Sequence, residues 1–595
     1  MMRKFLAWVN LSLTKGPPSA VNQANAAEVS DPVEKPVDVG EILRLGRAAL
    51  AAGDLRAATG RYRDIVSLDA SRPEHHTALA YVLTEQGLFE EAWPHLEQAM
   101  HLRPEDPDIH FQRGNFQLAV GELANARRCY QAALALRPDY AEVHSSLGHV
   151  HEREGSMEDA IASFDKALLF DTGYFPAHSN LLWALSFQLD DGAGRYLAEA
   201  RKFGQKVLSR ATPYRAWRCQ EGQGGAPKKL RIGLVSGDFR QHPVGIFLEG
   251  VVAQLSAQKL ELLAYSMNPQ DDPLTERIRG HFSAWTTITQ MSDEEAAGRI
   301  HADGVDVLID LAGHGAGNRL PVFAWKPAPV QVNWLGHLAS TGVPGMDYVL
   351  ADPVSTPNSV SAQFTEQVWH LPQTLFCFTP PVDQSMLAVA PLPALRNGYI
   401  TFGSFQRLNK LSNATLELWG RVFRALPQAR LYLRNEGMNR EATRAALLER
   451  LAQAGIVAAR VTFGGHVPRW EEYLAMYREV DVMLDTFPHP GVTTTCEALW
   501  MGVPTVTLAR GATLGRIGAS LMTCAGLAEW VAWSEEEFVL LAVNRAADIE
   551  ALALLRAGLR QQVAKTPLFD AGRFGPQFEE ALFAMWQRKM ACSTG

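Results

Sequence analysis

From Glu41 onward, apolar and small residues recur with a helical period, and the pattern itself repeats: Gly53, Gly87, Gly121 and Gly155 stand 34 residues apart. Ala58, Ala92, Ala126 and Ala160 keep that interval, as do Tyr62, Leu96, Tyr130 and Phe164, and then Leu68, Leu102, Leu136 and Phe170. Each period predicts a helix, a turn at Gly, and a second helix in which a small Ala permits close packing and a large residue follows four positions later. Arg103-Pro104 and Arg137-Pro138 terminate two of the units, because proline cannot continue the helix before it. Residues Ala177 to Arg210 keep the helical text but lose the Gly, which predicts a capping unit.

Past a stretch rich in Gly, Pro and Gln (Gln220 to Lys228) the pattern shortens to apolar runs of strand length. LRIGLVSGD is the first, with Pro243 and Gly245 opening a helix after it; LELLAYSM (260–267), VDVLIDLAG (305–313), VQVNWLG (330–336) and DYVLAD (347–352) follow. The order restarts at YITFGSFQ (399–406), then a helix around Leu416 to Leu426, ARLYLRN (429–435), a helix from Arg440 to Ala454, RVTFGG (460–465), a helix from Trp470, and DVMLDT. Strand and helix in alternation predict parallel sheets covered on both faces, and two such halves leave a cleft at the carboxyl ends of their strands. The expected layout is a disordered leader (1–40), a tetratricopeptide array with capping helices (41–210), a linker (211–229), a first lobe (230–395), and a second, nucleotide-binding lobe (396–595) whose last helix, Pro576 to Met590, packs back across both halves. The fold class is therefore an α superhelical array followed by an α/β double Rossmann-like region of the GT-B type. Such an array has a concave face suited to extended peptide; the same surface alternatively serves as a scaffold or joins a homodimer.

The chemistry gathers in Asp481 to Pro504, DVMLDTFPHPGVTTTCEALWMGVP. A buried strand feeds a Pro/Gly turn and then a helix beginning at Thr493, Thr494 and Thr495, where unpaired N–H groups and the helix dipole suit a phosphate. Glu497, within a turn of that start, is in reach of a ribose hydroxyl. The plainer alternative is an ordinary strand-helix unit capped by a threonine. Asp485 is expected to orient the loop through an Asx turn, and Trp325, Trp334, Trp419 and Trp500 to be core.

Composition narrows the partners. A net charge of -8, a pI near 6.1 and the lack of a basic block argue against nucleic acid. Six scattered cysteines, without CxxC spacing, suit free thiols, no zinc and a reducing, cytoplasmic setting. MMRKFLAWVNLSL has the order of a secretory signal but is short and interrupted at Asn10, so a disordered leader is the first reading and a targeting signal the alternative, and no apolar run reaches membrane-spanning length. Acidic pairs are scarce; Asp106-Pro107-Asp108 falls in a repeat turn, so no metal or other cofactor is expected.

Four segments in this order after the repeats, SGDFRQHPVG (236–245), KPAPVQVNWLGHLASTGVPGMDYVLAD (326–352), FGSFQRLNKLSNATLELW (402–419) and LDTFPHPGVTTTCEALWMGVPTVTL (484–508), carry a resemblance. They resemble the tetratricopeptide-linked glycosyltransferases of the bacterial O-GlcNAc transferase type, a family with protein O-fucosyltransferase relatives in plants, over nearly all of the chain from Glu41. The resemblance implies an inverting, metal-independent transfer of GlcNAc from a UDP-sugar to Ser or Thr of acceptor proteins. His242 then matches the histidine facing the phosphates and acceptor, Lys410 the lysine that neutralises the leaving diphosphate, Thr493 and Thr494 the hydroxyls on the β-phosphate, and Glu497 the acid on the ribose. Tyr473 stands where animal members stack a histidine on uracil, Val492 where they have a histidine beside the threonines, and Arg407 where they have glutamine. His314 and His337, after strands, line the acceptor side or fill core and loop positions. Glucose or fucose donors, asparagine acceptors, an epimerase, and a non-catalytic adaptor with nucleotide-binding lobes are the alternatives.

Overall fold

A computed structural model describes residues 39–188, 192–217, 229–268, 271–380, 387–465, 467 and 469–593. The leader expected over 1–40 and Cys219 lie almost wholly or wholly outside the described residues. The chain divides into two compact units, Met1–His151 with Ala162–Ala177, and Glu152–Ile161 with His178–Gly595.

The first unit is built from helix pairs, among them Val39–Ala51 with Leu55–Leu68, Pro73–Glu85 with Phe89–Leu102, and Pro107–Ala119 with Leu123–Leu136. Gly53, Gly87 and Gly121 make the turns with φ of 75°, 74° and 80°, a conformation that costs a side chain strain. Ala58, Ala92 and Ala126 are fully buried, and so is the large residue four later. Its seat is a second small position in the preceding helix: a Cβ on Gly114 would overlap the Tyr130 ring, and one on Gly148 the Phe164 ring. In the third register, Leu68, Leu102, Leu136 and Phe170 are 36–48% exposed at helix ends.

The second unit holds two parallel sheets. β1 (Leu230–Ser236), β2 (Leu260–Ser266), β3 (Ala284–Thr287), β4 (Val307–Asp310), β5 (Val330–Asn333), β6 (Tyr348–Ala351) and β7 (Gln367–His370) pair in the order β3-β2-β1-β4-β5-β6-β7. β8 (Thr401–Ser404), β9 (Arg430–Arg434), β10 (Val461–Gly464), β11 (Val482–Leu484), β12 (Thr505–Leu508) and β13 (Val531–Ala532) pair in the order β10-β9-β8-β11-β12-β13. Both orders reverse beside the opening strand, the arrangement that leaves a ligand crevice at the strands' carboxyl ends. The sheet centres are dry: Trp334 and Trp419 are fully buried and Trp500 nearly so, while Trp325, expected in the core, is half-buried.

The lobes are joined by side chains and by the chain end. Ser520 Oγ donates to Asp352 Oδ2 at 2.7 Å, Thr356 and Thr513 share a hydrogen bond at 3.1 Å, and Arg516 Nε reaches Val354 O at 3.1 Å. The last helix runs Ala571–Ser593, starting five residues before the expected Pro576. It returns to the first lobe, where Phe578 packs on Trp334 at 4.4 Å and Glu579 takes Lys259 Nζ at 2.7 Å. Of the expected linker, residues 213–217 are tied to the first lobe by Tyr214 N–H to Trp325 O and Trp217 Nε1–H to Lys326 O.

Candidate functional site

Strand β8 ends at Ser404, and the chain passes Gln406 and Arg407 into a short turn, Leu408–Lys410. Strand β11 ends at Leu484, and the loop from Asp485 leads into the helix Thr493–Trp500. These neighbours meet: Lys410 Nζ donates to Pro490 O at 2.8 Å, and Gln406 Nε2 to Thr494 Oγ1 at 2.7 Å. Asp485 pins the loop, its Oδ1 accepting from Thr486 N–H at 2.9 Å and Gly491 N–H at 2.8 Å, and its Oδ2 from Thr507 Oγ1 at 2.8 Å. A Cβ at Gly491 would overlap Gln406 Nε2 and Thr494 Oγ1, so a side chain there would displace the hydrogen bond between them. Val492, not a threonine, occupies the cap position and supplies no side-chain hydrogen bond. The threonine-capped alternative is thus not the one adopted, and the first-turn N–H groups keep their capacity for an anion.

Electrostatics concentrate at the same place. Burial lowers the Lys410 ammonium to about 8; the charge of Asp485 opposes that shift and Arg407 adds to it. Burial likewise raises the Asp485 carboxyl. Burial lowers His242 and His489 as well, and Arg407 adds to both shifts, which puts Lys410, Arg407, His242 and His489 in one field. His242 caps the helix Pro243–Gln254 after β1: its Nδ1 lies 3.3 Å from Val244 N–H and 3.4 Å from Asp238 Oδ2. The two partners demand opposite tautomers. When Nδ1–H is given to Asp238, Nε2 is the proton acceptor, which is the base-competent form.

Glu497 and Tyr473 are hydrogen-bonded to each other. The Glu497 carboxylate is 4% exposed and accepts from Tyr473 OH at 2.8 Å, Trp470 Nε1 at 3.2 Å and Tyr477 OH at 3.3 Å. Burial pushes it up to about 7. The Arg434 guanidinium lies 4.3 Å over the Tyr473 ring. The one Tyr477 hydroxyl proton is shared between Glu497 Oε2 and Thr494 O, 3.1 Å away, which ties Glu497 and Tyr473 to the threonine helix. Trp470, Tyr477, Arg434 and Gln406 were missed by sequence reasoning, although Gln406 lies inside a motif it quoted.

His314 and His337 follow β4 and β5. His314 bonds Ser179 Oγ at 3.1 Å and Thr341 O at 3.0 Å; His337 packs on Trp183 at 5.0 Å, and neither of its ring nitrogens has a hydrogen-bond partner among the described residues. Burial keeps both neutral, His314 well below its usual range and His337 at about 3. Of the two readings the sequence left open for them, their burial is that of core residues. His489, between two prolines of the loop, was not singled out: it stacks on Phe187 at 4.6 Å, and its Nε2 is buried without a partner among the described residues.

The described residues contain no cluster of three or more His, Cys, Asp or Glu arranged for a metal ion, and no helix long and apolar enough to cross a membrane. A family model described as Glycosyl transferase family 41 matches residues 205–387 and 382–577, and tetratricopeptide models match within 43–107, 118–155 and 141–172. The chain is 34% identical over 414 residues to a probable UDP-N-acetylglucosamine--peptide N-acetylglucosaminyltransferase, SPINDLY, of Petunia hybrida, and 35% identical to its counterpart in Oryza sativa subsp. japonica, 69% of this chain and 44% of each relative being covered. It therefore spans less than half the length of these curated relatives. A solved mutant O-GlcNAc transferase of Thermobaculum terrenum is 31% identical with a TM-score of 0.78, over 93% of this chain and 98% of that one.

Proposed function

Since the chain belongs to glycosyl transferase family 41, we propose that it moves a sugar, GlcNAc first among candidates, from a UDP-sugar to Ser or Thr hydroxyls of acceptor proteins, with inversion. The observation that carries this reading is the Lys410 ammonium held at Pro490 O, 2.8 Å away, in the loop that opens the uncapped helix at Thr493. Breaking a glycosyl–phosphate bond leaves new negative charge on the diphosphate. A fixed cation and a helix start aimed at that charge stabilise the transition state more than the ground state. Thr493 and Thr494 supply hydroxyls to the β-phosphate, and Gln406 sets the Thr494 rotamer. Because Lys410 supplies the positive charge, no divalent metal is required, and activity should survive a chelator. The acceptor hydroxyl attacks the anomeric carbon from the face opposite the diphosphate, and its proton passes to His242 Nε2 with Asp238 steadying the ring.

Arg407, Arg434 and Tyr473 border the same loops, and the guanidinium over Tyr473 disfavours stacking of a base on that ring face. This favours a test across donors, including glucose and fucose nucleotides. Incubating the protein with a donor panel and a host lysate, then reading modified peptides by mass spectrometry, identifies sugar and linkage together. Lys410→Ala should lower kcat by about 100- to 1,000-fold; full retention of rate would remove the leaving-group assignment. Delivery of acceptor polypeptide along the repeat groove, and operation in the cytoplasm, where the free thiols of Cys129, Cys377, Cys496 and Cys524 persist, complete the proposal.

A further inference from the structure

The turn that carries Lys410 is gripped from outside the two sheets. Glu152, in the last turn of the helix Ala141–Glu154, accepts with a single oxygen, Oε1, from Asn409 Nδ2 at 3.3 Å and from Trp183 Nε1 at 3.0 Å. Asn409 immediately precedes Lys410. Its own Oδ1 is buried without a partner among the described residues, so the bond to Glu152 is the one that fixes its amide. A second contact lies three residues on: a Cβ built on Gly155 would sit 3.5 Å from Leu408 O and 3.6 Å from Arg450 Nη1. Gly87, at the same register position two repeats earlier, has nothing within 4 Å. Arg450 in its turn donates to Leu411 O.

The other side of the lysine is tied to the same carboxylate. Trp183 packs against His489 at 5.8 Å, and Phe187 stacks on that ring. His489 directly precedes Pro490, the residue whose carbonyl takes Lys410 Nζ. Glu152 thus reaches Lys410 by two routes, through Asn409 to its backbone and through Trp183 and His489 to its hydrogen-bond acceptor.

We infer that Glu152 is a positioning residue for Lys410: it touches no substrate, and it holds the Leu408–Lys410 turn so that the ammonium points at the diphosphate. The inference rests on the proposed reading of Lys410 as the leaving-group cation. A displacement of about 1 Å at such a group is enough to lower a rate by about 100-fold, which gives a remote brace its leverage.

The test uses the full-length chain with Glu152→Ala, Glu152→Gln and, in case the first is poorly folded, Asn409→Ala, which breaks the same contact from the other side and leaves Trp183 in place. Hydrogen exchange is followed at the amides of Lys410 and Leu411, which bond to Arg407 O and Leu408 O at 3.0 Å each, and UDP affinity is measured by calorimetry. Glu152→Ala and Asn409→Ala should each speed exchange at those amides and weaken UDP binding by about tenfold. Glu152→Gln, which keeps a carbonyl oxygen for both donors, should restore both. Unchanged exchange in Glu152→Ala and Asn409→Ala, or a Gln variant as impaired as the Ala variant, overturns the inference. Exchange that responds as stated in a chain whose parent does not bind UDP leaves the brace standing and removes the nucleotide-sugar reading instead.

Discussion

Lys410 is where the chemistry of a single side chain decides most. It was visible in the sequence because RLNKL follows a strand and precedes a helix, which puts it on the ligand edge of a sheet. What the sequence did not contain is its depth. Burial brings the ammonium down to about 8, against the ordinary value near 10.5, so it loses its proton within an accessible pH range. In the proposed reaction the cationic form is the one that neutralises the diphosphate. The expected kcat/KM is therefore flat with respect to this group below about pH 8 and falls about tenfold per unit above it. Lys410→Arg, whose guanidinium stays charged, should be slower yet lose the alkaline fall, as a pH series from 6 to 10 would show. His489 marks the opposite case. Nothing in DTFPHPG distinguishes a loop histidine from a buried one, and its contacts with Phe187 and Trp183 come from residues some 300 positions away in the chain.

Among elements, the periodic repeat helices were legible and the strands only in part. The 34-residue register sets helix pairing directly, because each Ala and the large residue four later pack within a local hairpin. Strands β3, β7, β12 and β13 were not read from the sequence, although β4, β5 and β8 are no longer than the first three of them, and pairing with their neighbours is what makes them strands. Element packing also rests on glycines whose reason is invisible locally. A Cβ on Gly204, in the helix Gly192–Leu208, would overlap Gly342 O, and one on Gly342 would overlap Ala200 O, so two backbones touch there. Gly204→Ala should cost about 2–3 kcal/mol, since a backbone contact cannot yield as a side chain can. Gly87→Ala, strained by its φ of 74° but facing open space, should cost about 1 kcal/mol. Thermal melts of the two variants would check the order, and equal losses would defeat the close-approach argument.

At the scale of the whole molecule, buried titratable groups of both signs shape stability against pH. Asp310, fully buried at the end of β4, accepts from Gly313 N–H at 2.7 Å and Ala312 N–H at 3.3 Å, and burial raises it to about 7. Its folded value lies above its unfolded one, so the folded state holds the proton more tightly. That stabilisation is complete below about pH 3.8 and is lost as pH rises to about 7. His337, lowered to about 3, acts the other way, its contribution being present above its unfolded value and lost as pH falls. Comparing Asp310→Asn with the parent cancels the histidines. Between pH 5 and 8 the variant should gain on the parent by on the order of 2 kcal/mol, read from urea unfolding at each pH. A constant gap would show that Asp310 is ionised throughout.

Period, motif order and turn residues were enough to determine a repeat array leading into two strand-helix lobes, and to put a cation and a threonine helix at their strand ends, because those features depend on contacts within a few residues or on local backbone geometry. Tertiary structure alone decided which groups the site turns inward and which it leaves for a ligand. His337 under Trp183 and Glu152 on Asn409 are pairings across long stretches of chain, and burial, which sets the charge and direction of such groups, exists only once those stretches are packed together.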